Sequence, residues 1–276
     1  MQIIPIDTGR FSTKLHTKQL FPSVVGDWHE RNLSNTGDYE VTINNKKYFV
    51  GELANSESYS PREMSTSSKI HEETRVLFLT GLCINATEES PIIITGVPVV
   101  DFNKETKEKM QDLLYGEYDV KVNDKYIHLN IDNITLVPEG GASFWYMISQ
   151  NPELEYGKKR IIDLGSRTVN FCTINGKQYI NKDSDTLNYG TIKLKDNKIT
   201  PEQLARQIVA DLSQRWMNYD ADNDSIILTG GGSLLLEKYL QPHFKNCKTV
   251  DNPVYANVLG YFRMGVETWV KNQIAK

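Results

Sequence analysis

The sequence predicts an α/β protein of two similar halves that close on one phosphate group. Three stretches carry that expectation. Residues 3–14 and residues 160–171 each read as a β-rich run, an Asp-x-Gly turn and a return strand. The turn residues are Asp7, Thr8 and Gly9 in one copy and Asp163, Leu164 and Gly165 in the other, 156 positions further on. The third stretch is Gly230-Gly231-Gly232-Ser233, directly after the apolar run Ile226-Ile227-Leu228. Glycine lets a turn bring its N–H groups close to an anion and permits positive φ. An aspartate repels phosphate, so the role expected of Asp7 and Asp163 is to hold a divalent cation or its water.

In chain order, residues 20–28 follow the first turn. The alternating runs 39–43 and 46–50 then meet at Asn44-Asn45, a hairpin signal. Residues 56–68 are serine-rich and polar, as in an exposed loop, and residues 72–84 carry Val76, Leu77 and Leu79 at helical spacing. Pro91 introduces Ile92-Ile93-Ile94-Thr95-Gly96-Val97-Pro98, the pattern of a strand buried on both faces. Asn103 is placed to cap a helix reaching about Leu114. Residues 118–131 form a second hairpin around Asn123-Asp124, and residues 134–143 a strand whose acidic turn opens a helix. Asn175-Gly176 marks a further hairpin, extending the sheet to about Ile180. Thr200-Pro201-Glu202-Gln203 combines an N-cap, a proline at the first helical position and a capping-box glutamine. Leu204, Ile208, Leu212 and Trp216 follow at four-residue spacing. Residues 225–229 read as a buried strand, and the last helix runs over about 253–271 with Val258, Phe262, Val266 and Trp269 as its stripe.

A chain of 276 residues with 39% hydrophobic and 24% charged content has room for two such halves. Its formal net charge of −4 argues against direct nucleic-acid binding, so any DNA connection needs a partner or a local patch. Cys83, Cys172 and Cys247 are isolated, which speaks against a disulfide framework and fits a reducing compartment. The five histidines lack metal-ligand spacing. With no signal peptide and no apolar run long enough to span a bilayer, the expectation is a soluble, cytoplasmic protein.

Three features bear on chemistry, and each has a plainer alternative. Lys14 lies five residues past Gly9 on the return strand, where its ammonium reaches a phosphate or simply faces water. The 230–233 turn offers amides and a helix N-terminus to a phosphate or nucleoside, or serves only as a tight packing turn. Glu139, after Pro138 in a glycine turn, either orients an attacking water or stabilises a helix start.

The order of these pieces resembles the actin, Hsp70 and hexokinase superfamily: Asp-x-Gly turn, Pro-Glu turn, Asp-x-Gly turn, triple-glycine turn, terminal helix. Thr95-Gly96-Val97-Pro98 and Val137-Pro138-Glu139 look most like the plasmid-segregation actins of the ParM type. The resemblance implies two actin-like domains around a nucleotide cleft. The first would take residues 1–150, with a small subdomain at 22–70, completed by the terminal helix at 252–276. The second would take residues 151–251. It also implies a first phosphate turn of Asp7, Thr8, Gly9 and Lys14 and a second of Asp163, Gly165, Ser166 and Thr168. Glu139 matches the water-activating position, and Gly230, Gly231, Gly232 and Ser233 the adenosine turn. ATP or GTP with Mg2+ held near Asp7 and Asp163 is the implied cofactor set. The implied partners are other copies of the chain in a filament and a DNA-binding adaptor on plasmid centromere DNA. Two departures stand out. Ser166 replaces an acid of eukaryotic actin, and only 64 residues separate Gly165 from Gly230. That interval leaves no room for a subdomain found in longer members, so the chain looks like the shortened AlfA branch. A small-molecule kinase of the same superfamily, similar to type III pantothenate kinases, is the alternative, and a non-hydrolysing nucleotide-binding scaffold a third.

Overall fold

The computed structural model describes residues 2–33, 37, 39–64 and 68–274. The chain divides into two compact units, one of Met1–Gly96 with Asp101–Val137 and one of Val97–Val100 with Pro138–Lys276.

The first unit contains strands β1 (Ile3–Thr8), β2 (Ser12–Leu15), β3 (Leu20–Pro22), β4 (Val24–Asp27), β5 (Tyr39–Ile43) and β6 (Lys46–Val50). After these come helix α1 (Glu52–Glu57), β7 (Arg62–Glu63), α2 (Glu72–Asn85), β8 (Ile92–Val97) and α3 (Lys104–Leu114), then β9 (Gly116–Val122), β10 (Lys125–Ile131) and β11 (Ile134–Pro138). One five-stranded sheet has the order β11-β8-β1-β2-β3, with β1 parallel to β8 and antiparallel to β2. A six-stranded sheet has the order β10-β9-β5-β6-β4-β7. The small subdomain expected from residues 22–70 therefore also takes in the later hairpin of β9 and β10. The hairpin turns sit where the sequence puts them, and Asn44, Asn45 and Asn123 all have positive φ, as asparagine tolerates. Asn103 accepts the Thr106 N–H at the start of α3. Val76, Leu77 and Leu79 of α2 are buried, and Gly81 lets α2 lie against Leu15 and Ile6 of the β1–β2 hairpin. Of the expected 56–68 loop, residues 65–67 lie outside the described residues, and Arg62 and Glu63 pair with β4.

In the second unit the elements are α4 (Gly141–Gln150), β12 (Lys158–Leu164), β13 (Val169–Asn175), β14 (Gln178–Leu187), α5 (Pro201–Arg215), β15 (Ser225–Thr229), α6 (Ser233–Leu240), β16 (Cys247–Thr249) and α7 (Ala256–Ile274). They build a five-stranded sheet of order β14-β13-β12-β15-β16. Successive residues of β12 and β13 alternate between two cores. Ile162, Leu164 and Phe171 join Ile208, Leu212, Trp216 and Phe244 on one face, whereas Ile161, Cys172 and Ile174 join Phe144 and Ile148 on the other. Both faces of β12 are therefore covered, and its Ile161, Ile162 and Leu164 are buried alike. The capping box at Thr200 and Gln203 is formed on both sides, and Leu204, Ile208 and Leu212 are buried below it. Strand β14 runs on to Leu187, past the expected end near Ile180. A register shift between Phe171 and Thr173 makes this possible, with the Ser184 hydroxyl accepting the Thr173 N–H in place of a ladder bond. On α7, Val258 and Tyr261 are buried and Phe262 and Val266 only partly; the Trp269 side chain lies outside the described residues.

The units divide at Val137–Pro138, and α7 falls with the second unit. The cause is the fit of α7 on α4. A Cβ on Gly260 would stand 1.8 Å from the Ala142 carbonyl oxygen, so the two backbones meet where only glycine fits. Gly260→Ala must therefore force the helices apart, at a cost above the roughly 1–3 kcal/mol of ordinary overpacking. Thermal unfolding of the variant checks this, and an unchanged midpoint contradicts the fit.

The two five-stranded sheets share one plan. In each, an antiparallel hairpin carries the Asp-x-Gly turn, and its first strand lies parallel to a later strand, β1 to β8 and β12 to β15. Among the described residues only the first unit has a second sheet. The interval from Gly165 to Gly230 is filled by β13, β14, a 3-10 segment (Thr191–Asn197), α5 and β15. All three cysteines are buried and free. Burial pushes the Cys247 thiol up to about 12, and burial beside the Asp163 charge raises Cys172 as well, so both stay protonated and inert. No helix among the described residues is long and apolar enough to cross a membrane.

Candidate functional site

Strand register makes the two turns comparable residue by residue. In the first hairpin Asp7 faces Lys14 and Thr8 faces Thr13. In the second, Asp163 faces Asn170 and Leu164 faces Val169. Position for position, a cation in one unit is matched by an amide in the other.

In the second unit that amide holds Glu139. Asn170 Nδ2 donates to Glu139 Oε2 at 3.0 Å, while Asn170 Oδ1 accepts from the Thr186 hydroxyl at 2.7 Å. The Glu139 N–H donates to the Val97 carbonyl at 2.8 Å, fixing the backbone ahead of α4. Asp163 is held by a second amide: Asn257 Nδ2 donates to Asp163 Oδ2 at 2.8 Å, and Asn257 Oδ1 accepts the Gly140 N–H at 3.1 Å. Gly140 adopts φ 76°, and a Cβ there would sit 3.4 Å from Asp163 Cβ and 3.7 Å from Asn170 Cβ. The turn that opens α4 thus packs against the β12–β13 hairpin at Asp163 and Asn170. Glu139 and Asp163 are 7% and 6% exposed. An ionised carboxylate has about four lone-pair sites, so one amide bond does not by itself saturate either group.

The glycine turn is stitched to the same hairpin. The Gly232 N–H donates to the Leu164 carbonyl at 2.9 Å, and the Ser233 hydroxyl donates back to Gly230 O at 2.7 Å. Gly230 has φ +77°, and a Cβ on it would reach 2.5 Å from Asp163 Oδ1. A strap at residues 190–192 closes over residues 165–168. Its Thr191 and Ile192 N–H groups donate to Gly165 O at 3.1 Å and Ser166 O at 2.8 Å. Thr168 is buried, Ser166 half-buried, and the Gly165 N–H donates to Thr168 O at 3.0 Å.

The turn of the first unit is built on charge. Lys14 Nζ donates to Asp7 Oδ2 at 3.2 Å and to the Ser12 carbonyl at 3.1 Å. A Cβ on Gly9 would stand 2.4 Å from that ammonium. Neither Gly9 nor Gly165 has positive φ; both serve close approach only. Ser23 braces the turn, its hydroxyl donating to Gly9 O at 2.5 Å. Thr8 is buried in β1.

Residues 5–141 match the family model described as Actin like proteins N terminal domain. The chain has the actin-like fold. No curated protein matches it. Solved structures with this fold include a 15-stranded ParM filament from Clostridium botulinum, 23% identical over 97% of this chain and 100% of that one, TM-score 0.78. The archaeal actin homolog Ta0583 in complex with ADP is 19% identical over 97% and 100%, TM-score 0.78. An AlfA filament bound to AMPPNP is 22% identical over 97% and 99%, TM-score 0.72.

Within this actin-like chain, no group of three or more His, Cys, Asp or Glu side chains among the described residues is arranged to hold a metal ion. A Mg2+ ion usually takes one or two carboxylates and leaves its other positions to phosphate oxygens and water. Asp163, with a neutral amide partner, suits direct or water-mediated contact. Asp7 already shares its charge with lysine. Residues without any local sequence signal complete each turn by itself: Asn170, Asn257 and the 190–192 strap in the second unit, and Lys69, 3.8 Å from Asp7 Oδ1, in the first.

Proposed function

We propose that this actin-like chain assembles into filaments with bound nucleotide, hydrolyses ATP or GTP, and positions plasmid DNA through a DNA-binding adaptor. The single observation that carries the hydrolytic part is the amide-held Glu139 at the turn into α4, beside Asp163 and the glycine turn. A carboxylate fixed this way is placed to orient and deprotonate a water at a γ-phosphate. Asp7, Thr8, Gly9 and Lys14 would take phosphate in the first domain, and Gly165, Ser166 and Thr168 in the second. Gly230, Gly231, Gly232 and Ser233 would receive the nucleoside. Mg2+, held through Asp163 and Asp7, supplies neutralisation of phosphate charge. In domain terms the proposal keeps two actin-like halves with one nucleotide engaged by both turns.

Self-assembly is supported by the ParM and AlfA relatives, which are filaments, and nucleotide binding by the ADP and AMPPNP complexes. The DNA link follows from resemblance to plasmid-segregation actins together with a net charge of −4, which leaves DNA contact to a basic adaptor. High-speed pelleting with MgATP, with MgGTP and without nucleotide tests the reading. Nucleotide-dependent pelleting is expected; equal pelleting in all three contradicts it.

A single sheet in the second unit predicts relaxed base preference. With little structure available to enclose the base, water repairs a mismatched hydrogen bond and the penalty falls. Critical concentrations in ATP and GTP should therefore differ by less than about a hundredfold, or about 2.7 kcal/mol. A larger ratio means the base is enclosed.

A further inference from the structure

Three successive carbonyls of the second Asp-x-Gly turn are each taken by an amide from elsewhere in the unit. Leu164 O accepts the Gly232 N–H at 2.9 Å, Gly165 O the Thr191 N–H at 3.1 Å and Ser166 O the Ile192 N–H at 2.8 Å. Two of these donors belong to the strap at residues 190–192, and Gly190 lets the strap come this near. A Cβ on Gly190 would stand 2.4 Å from Gly165 O and 2.5 Å from Ser166 O. Helix α5 holds the strap from its other side. There the Tyr189 hydroxyl donates to Asp211, and Lys193 Nζ donates to Gln207 Oε1 at 3.0 Å. Thr191 also abuts the glycine turn, since a Cβ on Gly232 would stand 2.7 Å from Thr191 Cγ2.

Carbonyl oxygens carry partial negative charge and repel a phosphate. In a trans peptide the N–H points opposite to the carbonyl. With Gly165 O pinned to the strap, the Ser166 N–H is turned to the side away from it, and an amide so presented can meet an anion. The first unit braces its turn with one residue: the Ser23 hydroxyl donates to Gly9 O at 2.5 Å and the Ser23 N–H to Phe11 O at 3.0 Å.

We propose that the 190–192 strap is a positioning element of the second phosphate turn, orienting the 165–166 peptide so that the Ser166 amide meets a phosphate oxygen. The inference rests on the reading that a nucleotide phosphate binds at this turn. The ligand class is a nucleoside diphosphate or triphosphate. Linkage is reciprocal, so a ligand that needs the strap closed also holds it closed.

Amide hydrogen exchange at residues 191 and 192 of the wild-type chain, without nucleotide and with saturating MgADP, reads that link. MgADP should slow both amides by on the order of tenfold. Thr191→Pro deletes one donor at the first position of the 3-10 segment, where proline is tolerated. It should weaken MgADP in titration calorimetry by on the order of tenfold, with an unfolding midpoint near wild type when nucleotide is absent. Thr191→Val keeps the N–H and should bind MgADP like wild type. Wild-type affinity in Thr191→Pro, with or without a lowered midpoint, makes the strap merely structural and overturns the proposal. Equal weakening in Thr191→Val overturns it too, because the hydroxyl would then be the group that matters. Binding of MgADP that leaves strap exchange unchanged overturns it while leaving the nucleotide reading intact. No binding of MgADP to the wild-type chain removes both. If Thr191→Pro fails to fold, the exchange measurement on the wild-type chain still decides.

Discussion

Glu139→Ala keeps nucleotide binding and loses hydrolysis by on the order of 10²–10⁴-fold, the usual contribution of a positioned base. The expectation follows from geometry. Glu139 is buried, its backbone is tied to Val97 and its Oε2 to Asn170, so the carboxylate has one defined orientation. Truncation removes the carboxylate without touching either Asp-x-Gly turn, and filaments should assemble and then persist. Asn170→Ala leaves the carboxylate in place but releases it, so a smaller loss of turnover with unchanged nucleotide affinity is expected. Phosphate release assays with the pair give the order. A Glu139→Ala chain that releases phosphate at the wild-type rate would reduce Glu139 to a helix-start acid.

Arg160→Ala should destabilise the second unit by about 3–5 kcal/mol, the cost of breaking a buried charge pair from one side. Arg160 is fully buried on β12. Its Nε donates to Asp224 Oδ2 at 2.7 Å and its Nη2 to the Asn218 carbonyl at 3.1 Å. The guanidinium also lies 5.0 Å from the Trp216 ring centroid and 5.8 Å from that of Tyr219. Without it, Asp224 is left buried with only lysines nearby, Lys158 Nζ at 3.6 Å among them, and Asp183 loses the charge 3.9 Å away. Against a whole-domain stability of roughly 5–15 kcal/mol the loss is severe. Urea unfolding measures it. Adding Asp224→Ala should recover part of the loss, because the uncompensated charge goes too. A single-variant cost below about 1 kcal/mol would show that the network is solvated after all.

Local rules account for what the sequence makes legible. Asn44-Asn45, Asn123 and Gly176 turn hairpins because they tolerate positive φ, and Thr200 with Gln203 caps a helix because both partners sit three residues apart. The doubled plan was legible because each Asp-x-Gly turn is flanked by its own strands. Tertiary convergence was not. Asn257 reaches Asp163 across 94 positions, and Asn170 reaches Glu139 across 31. Nothing in the neighbours of Lys69 marks it as a companion of Asp7. The bare backbone contact of Gly260 with Ala142 likewise has no side-chain pattern to announce it.

Right-angle light scattering after addition of MgATP, run on the wild-type chain and on Asp163→Ala, tests the central claim most directly. Asp163 is fixed by Asn257 and abuts Gly230, so its loss disturbs the second turn and the glycine turn together. The expected result is a large nucleotide-dependent rise for wild type, decaying as phosphate is released, and a flat trace for Asp163→Ala. A rise of equal size and speed in the variant, or no rise in the wild type, would contradict a nucleotide-driven filament built on these two turns.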